Sequence, residues 1–239
     1  LDVEASLRAI ELGRAREEAV FHLTYRRPPF GGAYCLAAGL EAATEFCERL
    51  RFAPEDLGYL ETLTGNDGAR LFEPEFLDAL GALRFEGELW AVEEGAVVFP
   101  HEPLLRFQGP LLLGQVLETP LLTLVNFHSL VATKASRIVQ AAGGQPVVDF
   151  GLRRAQGVDG ALTASYAAAL GGVAGSSNVL AGRLFGLPVK GTHAHSWVMA
   201  FPDEEEAFEA YAAVMPNNCI FLVDTYDTVH SGVPNAIKV

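Results

Sequence analysis

Residues 147–178, VVDFGLRRAQGVDGALTASYAAALGGVAGSSN, decide the fold. The short apolar run at 147–150 predicts a buried strand. Residues 159–170 predict a helix, closed by Gly171-Gly172. A second strand, or a strand-like turn, then ends at Asn178. Further on, residues 179–185 predict a short helix ended by Gly186, and PVKGT at 188–192 a third strand. Residues 203–215 predict an acidic-faced helix, and CIFLVD at 219–224 a fourth strand. Strands alternating with helices imply parallel pairing in an α/β layer or barrel. Such barrels gather their chemistry at the carboxyl ends of the strands. Those ends carry Arg153-Arg154, Ser176-Ser177-Asn178, GTHAHS at 191–196, and Asp224 with Asp227. A complete barrel takes eight strands, and this stretch supplies about half of them.

Upstream, residues 114–141 predict one or two core helices, with Pro120 near a start or a kink. Leu7, Ile10 and Leu12 suggest a short helix ended at Gly13. AVFHLTY at 19–25 alternates like a strand, and RRPPFGG at 26–32 is a turn. Residues 33–52 carry a helical pattern that breaks at Pro54. Residues 74–83 predict a helix with Pro74 in its first turn. ELWAV and AVVF predict strands about a Glu93-Glu94-Gly95 turn, with breaks at 100–103 and 107–110. The organisation expected is an α+β N-terminal domain over residues 1–112. The first part of a β/α barrel follows over residues 113–239.

The 239 residues are half hydrophobic, enough for one large core or two modest ones. A formal charge of −13 argues against nucleic acid or an anionic membrane as partner. Cys35, Cys47 and Cys219 show no paired spacing and read as core thiols in a reducing cytoplasm. No apolar run reaches membrane-spanning length, and the start shows no signal-peptide pattern. The chain opens on Leu1 rather than Met and stops in mid-element at Ile237-Lys238-Val239, as expected of a piece of a longer protein.

His193 and His195 lie two apart, so an extended segment puts both on one side. They could be a metal pair, an acid–base or nucleophilic histidine held by a carboxylate, or one working histidine beside one structural one. Two packing histidines is the plain alternative. Asp224 could orient an imidazole, whereas Asp227 reads as a helix cap. Arg153 and Arg154 could meet a small acidic ligand through paired hydrogen bonds, though an isolated Arg-Arg is more often a solvated loop. GGVAGSS at 171–177 looks like a phosphate cradle, yet it lacks the P-loop lysine and the full dinucleotide fingerprint, and a tight turn explains it as well.

Taken in order, FHLTYRRPPFGG (21–32), FGLRRAQG (150–157), SSNVLAG (176–182), GTHAHS (191–196) and VDTYDT (223–228) closely resemble the nicotinate phosphoribosyltransferase family. The resemblance runs from about Arg14 to near the last residue. It implies an α/β fold, with a small α+β N-terminal domain and an irregular β/α barrel of the type II phosphoribosyltransferase kind. The implied reaction joins nicotinate to phosphoribosyl pyrophosphate (PRPP), giving nicotinate mononucleotide and pyrophosphate in NAD biosynthesis. ATP hydrolysis is coupled through a phosphohistidine, and Mg²⁺ accompanies the pyrophosphate. The resemblance further implies a cytoplasmic homodimer with shared active sites. By it, His195 is the phosphorylated histidine and Asp224 its partner. Phe150 stacks on the pyridine ring, and Arg153 meets a ligand carboxylate or phosphate. Arg154, Thr192 and Ser196 line the site, and no residue is assigned to a metal.

Asn178 stands where related nicotinamide enzymes carry Asp. Two carboxylates ~4 Å apart repel by ~4 kcal/mol at an effective dielectric near 20, roughly a thousandfold in binding. A neutral Asn178 beside Arg153 is therefore expected to favour the acid over the amide. The competing functions are a non-catalytic half-barrel that binds a ligand or partner, and a metal-dependent hydrolase using His193 and His195.

Overall fold

A computed structural model describes Ile10 and residues 13–239. The helix expected around Leu7, Ile10 and Leu12 falls largely outside the described residues. Two compact units divide the chain, Leu1–Ala174 and Gly175–Val239.

The first unit runs β1 (Glu18–Leu23), β2 (Cys35–Leu36), α1 (Leu40–Glu48), α2 (Pro54–Glu61), α3 (Pro74–Ala82), β3 (Glu88–Ala91), β4 (Val97–Val98), β5 (Leu105–Pro110), α4 (Leu111–Ala141), β6 (Val148–Asp149) and α5 (Gly157–Leu170). β1, β5 and β3 form an antiparallel sheet with β5 in the middle, and β2 pairs antiparallel with β4. The single long helix α4 organises this unit. Leu113, Leu117, Leu121 and Val125 recur every fourth residue, so they form one buried stripe packed with Phe107 and Cys47. Leu112 and Val116 make a second stripe, packed with Phe72, Phe76 and Leu80. Pro120 sits inside α4, which runs on through it as one helix.

The structure corrects three local expectations. Residues 33–52 are not one helix. Cys35 and Ala37 enter one core cluster while Leu36 and Ala38 enter another, the alternation of an extended segment buried on both sides. An all-apolar run has no period that distinguishes this from a helix. Pro54 starts α2 rather than breaking a helix, with the Asp56 carboxylate accepting the Ala53 N–H at 2.9 Å. Residues 107–110 are the end of the central strand. Gly109 is required there, because a Cβ would lie 2.7 Å from both the Glu86 carbonyl oxygen and the Phe107 ring.

The buried 35–38 segment takes hydrogen bonds from side chains of α4. Thr133 Oγ1 accepts the Leu36 N–H at 2.9 Å. Ser129 Oγ accepts from Ala38 N–H and donates to its carbonyl, each at 3.1 Å. The Tyr34 and Ser136 hydroxyls meet at 2.9 Å. Ser129, Thr133 and Ser136 are one helix face, so α4 stands in for a neighbouring strand. The segment then turns at Gly39 (φ 86°), where a Cβ would meet Leu124 O at 2.8 Å.

Glu94, in the β3–β4 turn, caps α1 from a distance. One carboxylate oxygen accepts the N–H groups of Gly39 (2.6 Å), Leu40 (2.7 Å) and Glu41 (3.3 Å). The other accepts the Tyr166 hydroxyl at 2.5 Å. Burial and then the bond to Glu94 push the Tyr166 phenol well above its ordinary pKa. An anion at the positive end of a helix is favourable, and Glu94→Ala strands several donors at once. We expect that variant to lose about 2 kcal/mol in urea unfolding. An unchanged midpoint and slope would contradict the capping role.

The second unit contains β7 (Gly175–Ser176), α6 (Val179–Phe185), α7 (His195–Val198), α8 (Glu204–Val214) and α9 (Val233–Lys238). Ser176 bridges Val189 in parallel, with Ser176 N–H to Pro188 O and Lys190 N–H to Ser176 O, both 3.0 Å. That bridge is all that forms of the strand expected at 188–192. Val198, Ala207 and Phe208 are the core, packed with Trp197, Phe201, Phe221 and Val223. The fourth strand expected at 219–224 is not formed among the described residues. Its Leu222 N–H goes to the His193 ring rather than to a strand partner. Cys219 is half-buried rather than a core thiol, whereas Cys35 and Cys47 are buried. Burial pushes the Cys47 thiol up to about 11.

Candidate active site

In the first unit, β6 delivers the stretch FGLRRAQG. Asp149 fixes the turn that follows. Its Oδ1 accepts the Gly151 N–H at 2.8 Å and its Oδ2 the Ser165 hydroxyl of α5 at 2.9 Å. A 3-10 turn, Leu152–Arg154, then carries Arg153 and Arg154 into solvent. Among the described residues neither arginine forms an ion pair. The strand expected to be buried at 147–150 is only half-buried, and Phe150 at its end is 49% exposed. A cavity of about 470 Å³ opens beside it, with Phe30, Phe127 and Lys134 among its lining. This unit therefore presents an aromatic face and two free cations, a combination suited to a planar aromatic acid. Sequence reading passed over Asp149. The signal was a lone carboxylate inside an otherwise apolar strand.

In the second unit, Asn178 is buried at the start of α6. Its Oδ1 accepts the Ala181 N–H at 3.2 Å, a helix N-cap. The helix ends at Gly186 (φ 68°), as its sequence predicts. GTHAHS then leads from the Val189 bridge into α7. Thr192 and Ser196 are exposed, and the Thr192 hydroxyl donates to the His193 carbonyl at 2.9 Å.

The two histidines separate sharply. His193 is 7% exposed and lies among Phe208, Tyr211 and Phe221, with ring centroids 5.6, 4.8 and 6.3 Å away. Its Nε2 accepts the Leu222 N–H at 3.1 Å, so that nitrogen has no proton and no lone pair to spare. His195 is the first residue of α7, and its side chain is 40% exposed. Its Nε2 meets Asp224 Oδ1 at 3.1 Å. Of the readings left open for this pair, the geometry fits one working histidine beside one structural one. It does not fit a His-x-His metal pair, because the His193 nitrogen that would ligate is occupied. Among the described residues, no group of three or more His, Cys, Asp or Glu side chains could hold a metal ion.

A carboxylate oxygen at this place accepts the N–H of His195 Nε2, which leaves the lone pair on Nδ1. Asp227, three residues on, has the capping role read from sequence. Its Oδ1 accepts the N–H groups of Val229 (3.0 Å) and His230 (2.8 Å). Those bonds hold its carboxyl below the usual range. Gly171 and Gly172 close α5 rather than cradle an anion. A Cβ on Gly171 would lie 2.5 Å from the Ala132 carbonyl oxygen, so this glycine serves the packing of α5 on α4. No helix among the described residues is long and apolar enough to cross a membrane.

Comparison with known proteins gives the family and the fold. The model of the nicotinate phosphoribosyltransferase N-terminal domain matches residues 8–126, and that of the nicotinate phosphoribosyltransferase family matches residues 146–231. The nicotinate phosphoribosyltransferase of Bacillus subtilis (strain 168) is 44% identical over 227 residues, covering 95% of this chain and 45% of the relative. The Homo sapiens enzyme of the same name is 40% identical over 275 residues, covering 95% of this chain and 50% of the relative. The crystal structure of human nicotinic acid phosphoribosyltransferase superposes with a TM-score of 0.86 at 40% identity, covering 98% of this chain and 55% of that one. Nicotinate-nucleotide pyrophosphorylase from Pyrococcus furiosus shares the fold, with a TM-score of 0.74 at 23% identity over 94% of this chain and 49% of that one. The chain spans about half the length of the curated relatives it matches.

Proposed function

Because the chain belongs to the nicotinate phosphoribosyltransferase family, with the α/β fold of type II phosphoribosyltransferases, we propose that the whole protein makes nicotinate mononucleotide from nicotinate and PRPP. The observation that carries this reading is the His195–Asp224 pair at 3.1 Å, at the AHS and VDT positions of the resemblance.

In this reaction the pyridine nitrogen attacks the anomeric carbon of PRPP, the C–O bond to pyrophosphate breaks, and pyrophosphate leaves. Positive charge builds on the sugar as that bond lengthens, and orientation of the ring sets the rate. Phe150 offers its exposed face to the pyridine ring. Arg153 offers paired donors to its carboxylate, and Arg154, Thr192 and Ser196 line the site. ATP is the co-substrate: its γ-phosphoryl group passes to His195 Nδ1 as the Pγ–O bond breaks, and ADP leaves. Asp224 keeps the ring in the reactive tautomer and stabilises the charge that forms on it. Hydrolysis of the phosphohistidine then returns the site to its starting state. The described residues provide no protein cage for Mg²⁺. Mg²⁺ would accompany the pyrophosphate of PRPP and would neutralise charge on its oxygens. We assign the protein to the cytoplasm and to a homodimer with shared active sites.

The test is an assay of the full-length protein with PRPP and Mg²⁺, offering nicotinate or nicotinamide, with and without ATP. Mononucleotide from nicotinate, formed faster with ATP, is the expected result. No product from either base would overturn the reading.

Asn178 tests the preference for the acid. Asp caps a helix as well as Asn does, so Asn178→Asp keeps the bond to Ala181 while adding a charge. We expect the KM for nicotinate to rise by ~10²-fold or more with little change in melting temperature. Asn178→Ala should show the converse, losing about 1 kcal/mol of stability with nicotinate preference retained. Equal losses for nicotinate and nicotinamide in Asn178→Asp would remove Asn178 from the account of specificity.

A further inference from the structure

We propose that His193 is a positioning residue for the His195–Asp224 pair. The inference rests on the reading of that pair as the phosphoryl-accepting site. The observation is one of matched spacing. His193 stands two residues before His195, and Leu222 two residues before Asp224. His193 Nε2 accepts from Leu222 N–H at 3.1 Å, and His195 Nε2 meets Asp224 Oδ1 at 3.1 Å. The two segments therefore run in step, joined at one level by a side chain to backbone bond and at the next by the catalytic pair.

The first of these bonds has the means to hold the second. Among the described residues, the backbone of 219–224 makes no ladder hydrogen bond. Apart from the Asp224–His195 pair itself, what ties the described segment to the rest of the unit is its packing and the His193 bond. Phe221 stacks on Phe208 at 4.7 Å, and the Val223 backbone abuts Gly232. The His193 ring cannot swing away, because Phe208, Tyr211 and Phe221 enclose it. Its tautomer is fixed as well. Nε2 accepts, so the proton sits on Nδ1, which faces the Ala194 carbonyl at 3.4 Å. A buried imidazole acting as acceptor thus sets where Asp224 stands relative to His195. By contrast with Asp224, it touches no reacting atom.

This role differs from mere packing in a way that can be measured. Leucine at 193 fills the aromatic cage but gives Leu222 no acceptor. Glutamine carries an amide oxygen to about the place of Nε2. The experiment uses the full-length protein and compares His193→Leu, His193→Gln, Asp224→Asn and the double variant His193→Leu/Asp224→Asn. The readouts are ATP-driven kcat, KM for nicotinate and the rate of phosphohistidine formation from labelled ATP.

Misplacing a reacting group by about 1 Å can cost ~10²-fold, so loss of this tether is expected to cost of order tenfold. His193→Leu should lower kcat and the labelling rate by that factor with nicotinate KM unchanged. Asp224→Asn should add little in the His193→Leu background, because the pair is already out of register. His193→Gln should restore most of the loss. Costs that simply multiply in the double variant, or a His193→Leu protein with wild-type labelling, would overturn the positioning role alone. An Asp224→Asn protein with wild-type labelling would overturn the reading of the pair, and the inference with it. Should His193→Leu fail to fold, His193→Asn against His193→Gln makes the same comparison, since the shorter amide stops short of Leu222.

Discussion

Full-length protein carrying His195→Asn should incorporate no phosphoryl group from ATP and should lose all ATP-dependent acceleration. In the proposed reaction the attacking nitrogen is His195 Nδ1, because Nε2 is held against Asp224 at 3.1 Å. Its neighbour cannot substitute. His193 is 7% exposed and its Nε2 already accepts the Leu222 N–H. Removing a positioned catalytic group of this kind lowers turnover by ~10²–10⁴-fold. Slow, ATP-independent synthesis should survive, since Phe150 and Arg153 do not depend on the histidine. Acid-labile label from γ-labelled ATP, followed in parallel with nucleotide formation, checks this. Label retained in His195→Asn would place the acceptor elsewhere. In the wild type, phosphorus NMR of the labelled protein should show the Nδ1 isomer.

Gly232→Ala should be the most damaging single-methyl change in the second unit. An added Cβ would lie 1.8 Å from the Val223 carbonyl oxygen and 2.9 Å from the Val223 Cα. Both are backbone atoms, so no side chain can swing aside. Overpacking in a tight core typically costs 1–3 kcal/mol, and a clash against backbone puts this one at about 3 kcal/mol or more. The consequence is also catalytic, because Val223 immediately precedes Asp224. A shift of that segment by about 1 Å can lower a rate by ~10²-fold. Thermal unfolding and phosphohistidine formation should therefore fall together. A protein with an unchanged melt would show that the two segments part without strain. Gly58, with nothing within 4 Å of an added Cβ, is the matched control, and Gly58→Ala should be neutral or mildly stabilising.

Much of this was legible in the sequence for stated reasons. Helices with terminal signals were readable: α6 between Asn178 and Gly186, α5 before Gly171-Gly172, and α3 from Pro74. The pairing of His195 with Asp224 came from the resemblance, not from spacing, since 29 residues separate them. What sequence could not distinguish was tertiary. Residues 35–38 and 219–224 are apolar runs without a period; the first is held between β4 and hydroxyls of α4, and the second meets the ring of His193. The division of labour between His193 and His195 was likewise set by the cage of Phe208, Tyr211 and Phe221. Asp149, which shapes the FGLRR turn, is identical in type to any solvated aspartate until its two bonds are seen.

The hydroxyl face of α4 has a consequence for how the chain is made. Leu36 finds its acceptor on Thr133, 97 residues later, and Ala38 finds Ser129, 91 residues later. β1 likewise waits for β5. At ~5–20 residues per second of synthesis, that interval lasts roughly 5–20 s. β4 can pair with one edge of this segment earlier, but through that interval the edge that α4 will satisfy is outside the ribosome with its backbone groups unmatched. Such a segment invites pairing with other chains. The N-terminal part of this protein is therefore where a nascent-chain chaperone would be needed, and its release would coincide with the emergence of α4.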